Sequence, residues 1–513
     1  WESACRIVRR SFALSVSNLV GLVGCPAASL AAFSLSRASC RFGGSHSYRV
    51  RASWFKFNYD MVSASDPQDD DVWEDYYVKV RKCNRFFERI GTSTIEESEK
   101  SRLTGEVHFL RAMFYFEMVK RYGGVILLDK VLTMEDNWEI PRSSEKECYD
   151  FILEDLKKAT EMLPASYGSR EKGRATKGAA YALKSRVELY DKRYEDVIKS
   201  CAEVYKLGYE LVDGTTPEKY RSIWWTTNKD NKEIIFDVQY KSPDVYNNMM
   251  VCNMVTYIND KYGDRGWGGL GPTQELIDAF EMADGTPATQ YSQAPADQVF
   301  DINTCGINEG REPRFYANIV FHGSQIFFNA DKGAVTVDRY LMDTPDKGDG
   351  SLTGYNVWKW IDYDNYNYPY AGAGSPDFST NWIILRYAEI YLNDAEARLE
   401  TGDVEGARKA VNMIRQRVGL PDLTESDPEK LRELIRKERR IEFAFEEQRF
   451  YDVRRWKIGP ETQTTLHGVR FVSPTEFKVT KTDIRTWNDR LYLTPVPHDE
   501  IVRSSVLKQN PGY

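Results

Sequence analysis

Two stretches of this chain, 177–206 and 384–414, each read as a helix, a short polar turn and a second helix. No other feature constrains the fold as much. In the first, Ala179, Ala180 and Ala182 stand where two helices must approach closely, and Val197, Ile198, Cys201 and Val204 form the facing stripe. In the second, Tyr387, Ala388, Tyr391, Leu392 and Ala395 precede a turn at Thr401-Gly402-Asp403, after which Val404, Ala407, Val411 and Ile414 recur at helical spacing. Apolar residues three and four apart mark one face of a helix. One hairpin cannot bury that face alone, so both are expected to stack on further helices. Those helices are readable. Val72 to Ile90 is one, and Val107 to Val119, with Leu110, Phe114 and Met118, is a second that stops at Gly123-Gly124. A third opens on the capping-box pair Ser144 and Glu147, buries Cys148, Ile152, Leu156, Ala159 and Leu163, and closes at Pro164.

Charge divides the chain unevenly. Residues 1–59 hold eight bases and a single acid, Glu2, for a net of +7; with −8 overall, residues 60–513 carry −15. An acidic body of this size, 42% hydrophobic, argues for a globular protein and against a nucleic-acid partner. Three readings of residues 1–54 stay open. One is a bacterial lipoprotein signal, with Arg6, Arg9 and Arg10 before an apolar run and Leu22-Val23-Gly24-Cys25 as a lipobox whose Cys25 would be acylated. The others are an organellar transit peptide and a mistranslated or frame-shifted end.

The eight cysteines form no CxxC pair, and Cys148 and Cys201 fall on apolar stripes, where a thiol behaves as a small hydrophobe. The sequence lacks GxxxxGK[ST], HExxH, GxSxG and EF-hand patterns, and its five histidines are far apart. Nucleophilic and metal catalysis therefore have no handle here, no cofactor is called for, and the reading is of a protein that is not an enzyme. A carboxylate pair for glycoside hydrolysis would be recognised only by its separation in space. The charged helix Lys430 to Glu447 is expected to form intrahelical pairs and ion pairs at a buried rim, and Arg386 and Arg111 are expected to hold the fold.

Between the hairpins lies a loop-rich insertion, 236–380. Its strand signals are weak, with Glu233 to Val238 the best and Phe315 to Phe321 the next. It carries Tyr246, Tyr257, Tyr262 and Trp267, and later Tyr355, Trp358, Trp360, Tyr363, Tyr366, Tyr368 and Tyr370. Loops this long are usually functional or disordered, and so many aromatics disfavour disorder. A sugar ring offers an apolar face and a polar rim, so flat Trp or Tyr faces with amides or guanidinium groups at the edge suit it. Tyr246, Tyr257 with Asn259, and Arg265 with Trp267 supply that mixture. Trp73, Trp138 and Trp456 are expected to be structural.

Several segments, in order, resemble the SusD/RagB family of nutrient-binding outer-membrane lipoproteins. They include EVHFLRAMFY from Glu106, Arg121-Tyr122-Gly123-Gly124, Gly173-Arg174-Ala175-Thr176-Lys177-Gly178, Arg311-Glu312-Pro313-Arg314-Phe315, Leu385-Arg386-Tyr387-Ala388-Glu389, Ile435 to Phe443, Arg449-Phe450-Tyr451-Asp452, and the ending Gln509 to Tyr513. The hairpins likewise resemble tetratricopeptide units. The resemblance implies a mainly α fold of tetratricopeptide-like hairpins packed with C-terminal helices and long loop-rich insertions, with minor β. The expected divisions are a head at 1–54, an N-terminal helical region at 55–220, and a region at 221–513 ending in C-terminal helices, 381–513. It further implies a lipid anchor in the outer membrane, exposure at the cell surface, an oligosaccharide ligand and a TonB-dependent porin of the SusC type as partner. Trp54, Asn58 and Tyr59 lie just before the first helix, near where the family often places ligand aromatics. Two functions are therefore expected to compete: capture of a glycan, or in some members a peptide, for delivery to a transporter, and a helical-repeat scaffold whose partner is protein alone.

Overall fold

The structure is a computed structural model that describes residues 60–67, 72–241, 255, 270–327, 334–340, 351–362, 379–462 and 464–513. Its N-terminal region is five helices, α1 (Trp73–Ile90), α2 (Glu97–Tyr122), α3 (Glu145–Met162), α4 (Lys177–Tyr190) and α5 (Tyr194–Tyr205). Each begins or ends where local chemistry dictates. Helix α2 stops because Gly123 takes φ +72, and a side chain at Gly124 would collide with the Ser143 carbonyl, 2.0 Å from its Cβ position. Helix α3 starts on a complete capping box, with the Ser144 hydroxyl accepting from the Glu147 amide and the Glu147 carboxylate accepting from the Ser144 amide. The stripe expected on α3 is buried throughout, and so are Cys148 and Cys201. Burial pushes the Cys148 thiol up to about 11, which keeps it an inert hydrophobe. Trp73 is buried edge-on against Tyr122, and half-buried Trp456 donates its indole N–H to Glu396 at 2.9 Å; both are structural.

Strand β1 (Ile234–Val238) leaves this region; β2 (Val299–Asp301), helix α6 (Pro313–Asn318), β3 (Ile319–Val320) and β4 (Asn356–Val357) follow within the insertion. Strand β5 (Trp382–Arg386) returns antiparallel along β1, with Val238 opposite Trp382. The second hairpin follows as α7 (Tyr387–Glu400) and α8 (Val404–Arg417), then α9 (Pro428–Glu442) and α10 (Gln448–Arg455). Helix α7 packs on both helices of the first hairpin, α4 and α5. There Arg186 meets Glu389 at 2.6 Å and Tyr205 donates to Asp394 at 3.1 Å. The mainly helical architecture and the second hairpin are as the sequence led one to expect, except that the hairpin's first helix starts at Tyr387, Ile384 to Arg386 being part of strand β5.

Four expectations need correcting. Phe315 to Phe321 is mostly helix, because Pro313 at the first helical position starts a turn and leaves only Ile319–Val320 to pair. The C-terminal region is not helical throughout: β6 (Thr465–Phe471) and β7 (Glu476–Ile484) form a hairpin, and β2 pairs with β7 to make a three-stranded sheet. Trp138 is not packed away but lies 57% exposed in the connection before α3, with only its indole N–H tied, to the Thr133 carbonyl at 3.0 Å. Tyr355, Trp358 and Trp360, grouped from the sequence with the aromatics of the long functional loops, are buried core.

Candidate functional site

The β1–β5 ribbon brings the bases of two insertion segments together. Tyr240 and Lys241 lead from β1 into the stretch carrying Tyr246 to Trp267, and Ser379 to Asn381 lead from the later aromatic stretch into β5. One ammonium joins them: Lys229 donates to the carbonyl of Tyr240 at 2.8 Å and to that of Ser379. Asn381 makes a second tie, donating to Asp237 at 2.7 Å while its oxygen accepts from the Tyr240 amide at 3.1 Å. At the other end of the later stretch Asp362 accepts from the Thr226 amide and hydroxyl, both at 3.1 Å. Burial pushes Asp237 up to about 6, a rise that its bonds from Asn381 and Gln239 and the Lys229 charge only partly oppose. Burial also lowers the Lys229 ammonium. A cleft of about 290 Å³ runs along this stem, lined among others by Tyr167, Tyr209, Lys229, Asn231, Asp237 and Gln239.

Beneath the stem is a floor of Tyr220, Trp224, Tyr240, Trp360 and Trp382, closed by one apolar cluster. Under it lies a fully buried ion network centred on Glu442. One Glu442 oxygen accepts from Arg386 at 2.6 Å and from Arg417, and the other accepts from Arg314 at 3.1 Å. Glu233 bridges Arg386 and Arg417 at 2.9 and 3.0 Å, and Lys359 joins through Glu446 at 2.6 Å. Burial alone would raise Glu442, but Arg417, Arg386, Arg314 and Lys359 together hold it well below the usual carboxylate range. The charged helix at 430–447 therefore reaches across the molecule rather than pairing mainly along itself. Arg386 and Arg111, the latter 2.7 Å from Asp155, hold the fold as expected. The network ties β1, β5, α6, α8 and α9 to one another, so the stem stands on a rigid base.

A larger groove of about 560 Å³ lies on the hairpins, between Tyr205, Tyr391, Arg398, Lys409 and Met413. Its charges already pair with one another, Arg398 with Asp394 at 3.0 Å and Asp403 at 2.7 Å. The stem is the better candidate because it gathers segments far apart in sequence. All eight expected ligand residues, Trp54, Asn58, Tyr59, Tyr246, Tyr257, Asn259, Arg265 and Trp267, and the expected lipidation site Cys25, lie outside the described residues. Sequence reasoning missed Lys229, Asp237 and Asn381. Only Asp237 gave a signal, as an acid inside the apolar run Ile234-Ile235-Phe236-Asp237-Val238.

The described architecture is thus one of stacked helical hairpins with long insertions rooted on a stiffened two-stranded stem. A family model described as the SusD family matches residues 232–513, and one described as starch-binding associating with outer membrane matches residues 15–189. The chain belongs to the SusD family. It is similar to a SusD-like protein of Bacteroides fragilis of known crystal structure, 92% identical with a TM-score of 0.90 over 97% of this chain and 96% of that one. A SusD-like carbohydrate binding protein of the same species is 25% identical, with a TM-score of 0.75 over 97% of this chain and all of the other (100%). A SusD-like protein of Formosa agariphila is 24% identical over 470 residues, which cover 88% of this chain and 81% of the relative.

Proposed function

We propose that the chain captures an oligosaccharide at the outer-membrane surface and passes it unaltered to a TonB-dependent porin of the SusC type. The carrying observation is the stem, which ties together the bases of the two aromatic-rich segments of a SusD-family chain. The description of the model matched by residues 15–189, and the carbohydrate-binding name of one structural relative, support a glycan as ligand. Trp267, Tyr257 and Tyr246 would stack on sugar faces, with Asn259 and Arg265 at the polar rim and Trp54, Asn58 and Tyr59 closing the site. Cys25 would carry the lipid anchor.

The full chain on a glycan array tests the reading. Binding of at least one oligosaccharide class, with the bound material recovered at its original length, is the expected result. An array without any binder, or one that yields shortened products, would overturn it. Replacing Cys25 by Ser while following acyl labelling in a bacterial host tests the anchor separately, and an unlabelled parent would end that part.

A further inference from the structure

Among the described residues, several buried arginines sit opposite carboxylates, as Arg439 does with Asp452 and Arg455 with Glu396, or else spend N–H groups on carbonyls, as Arg311 does on Ile307 and Phe280. This is what burial of charge demands. Two half-buried guanidinium groups depart from it. Arg440 on α9 donates only to the Glu275 carbonyl, at 3.2 Å. Arg449, in the first turn of α10, has no hydrogen-bond or ion-pair partner among the described residues.

The two belong to one corner of the molecule. Arg436 precedes Arg440 by four residues, hence on the same face of α9, and lies 4.9 Å from the Trp456 ring; Arg449 lies 6.0 Å from that ring. Of the nearby carboxylates, Glu461 is exposed and faces Arg449 without an ion-pair partner among the described residues, while the others are engaged elsewhere, Asp278 by the Gln274 side chain at 2.8 Å and the Ser292 amide at 2.7 Å. Glu275 is held by His467 at 2.7 Å, Asp452 by Arg439 and Arg455 at 2.9 and 2.8 Å, and Glu433 by Arg436 at 3.3 Å. Burial, and after it the Arg449 charge, pushes Arg440 down to about 10. Burial lowers Arg449 too; Asp452 opposes this and Arg436 adds to it.

We propose that Arg440 and Arg449, with Arg436 at the edge, form a binding site for an oxyanion of the carboxylate or sulfate kind, taken free or as the acidic substituent of a sugar. The planar guanidinium fork matches two oxygens of such a group, and an anion between the two would replace repulsion by charge-assisted hydrogen bonds. The site is distinct from the insertion stem and does not rest on the glycan reading.

The test is thermal melting and calorimetry of the full chain with sodium sulfate, sodium glucuronate and glucose, against sodium chloride at matched ionic strength. Sulfate should raise the melting temperature above the chloride control. Arg449→Gln and Arg440→Gln should each weaken sulfate binding by about tenfold or more. In anion-free buffer Arg449→Gln should melt no lower than the parent, since it removes a repelling charge. A glucuronate response without a glucose response would assign the site to acidic sugars, and a sulfate response alone to the free anion. No response to either anion, binding undiminished in both variants, or an Arg449→Gln chain that melts well below the parent without anion would overturn the proposal.

Discussion

Asp237 in the stem and Glu442 in the floor beneath it are both buried carboxylates, yet their proton affinities move in opposite directions. Three arginines and Lys359 surround Glu442, whereas Asp237 meets two amides and one lysine whose bonds go to backbone carbonyls. Burial penalises both; the number of facing cations decides the sign. The comparison separates a rigid, charge-saturated base from a lightly compensated stem, and the stem is where the two aromatic-rich segments begin and end.

The largest effect that would break this contrast is Glu442→Ala. It leaves Arg314, Arg386 and Arg417 short of their shared acceptor and should cost about 3–5 kcal/mol, measured by urea unfolding, or prevent folding outright. A loss below about 1 kcal/mol would show that the network does not hold the base together.

Next comes pH. The folded-state value of Asp237, about 6, lies above the ordinary aspartate value of roughly 3.9, so the unfolded chain gives up its proton first and stability falls as pH rises between those values. Asp237→Asn should remove that slope and stabilise the protein at pH 7 by about 1–3 kcal/mol. Glu442, depressed in the folded state, contributes the other way: its stabilisation is present above the unfolded value and is lost as pH falls below the usual carboxylate range. Melts across the acid range that show the same slope in parent and Asp237→Asn would contradict the stem assignment.

A smaller change in stability should come from Lys229→Met, which removes two charge-assisted bonds to half-exposed backbone and should cost about 1–2 kcal/mol. Its sharper consequence is on ligand: affinity should drop more than stability predicts, with Lys229→Arg restoring part of it.

Much of the scaffold was legible in the sequence, because helices announce themselves locally. The period of Cys148 to Leu163, the Ser144 and Glu147 cap and the small residues of α4 all belong to single elements. Features that depend on distant partners were hidden. The β6–β7 hairpin has no clean alternation of polar and apolar residues, and its neighbour β2 lies more than 160 residues upstream. Glu438 and Glu442 look like members of intrahelical pairs until the fold brings Arg314 and Arg386 to them. Of the candidate site, the aromatics and amides singled out in the sequence lie outside the described residues; Asp237 was readable, as an acid inside an apolar run. Lys229 and Asn381 were not, since a lysine bonded to carbonyls leaves no pattern. Trp358 and Trp360 show the converse limit: a Trp in a long insertion can as well be floor as platform.

Calorimetric titration of an array-selected oligosaccharide into the parent, Trp267→Ala and Trp73→Ala tests the proposed division between platform and scaffold most directly. Trp267→Ala should keep the parent's melting temperature and lose about 1–3 kcal/mol of binding, roughly ten- to a hundredfold in affinity. Trp73→Ala, which empties a buried site on α1, should lose about 3–5 kcal/mol of stability and, while folded, bind as the parent does. Trp267→Ala binding every accepted glycan as tightly as the parent would contradict the aromatic platform and favour a scaffold whose partner is protein.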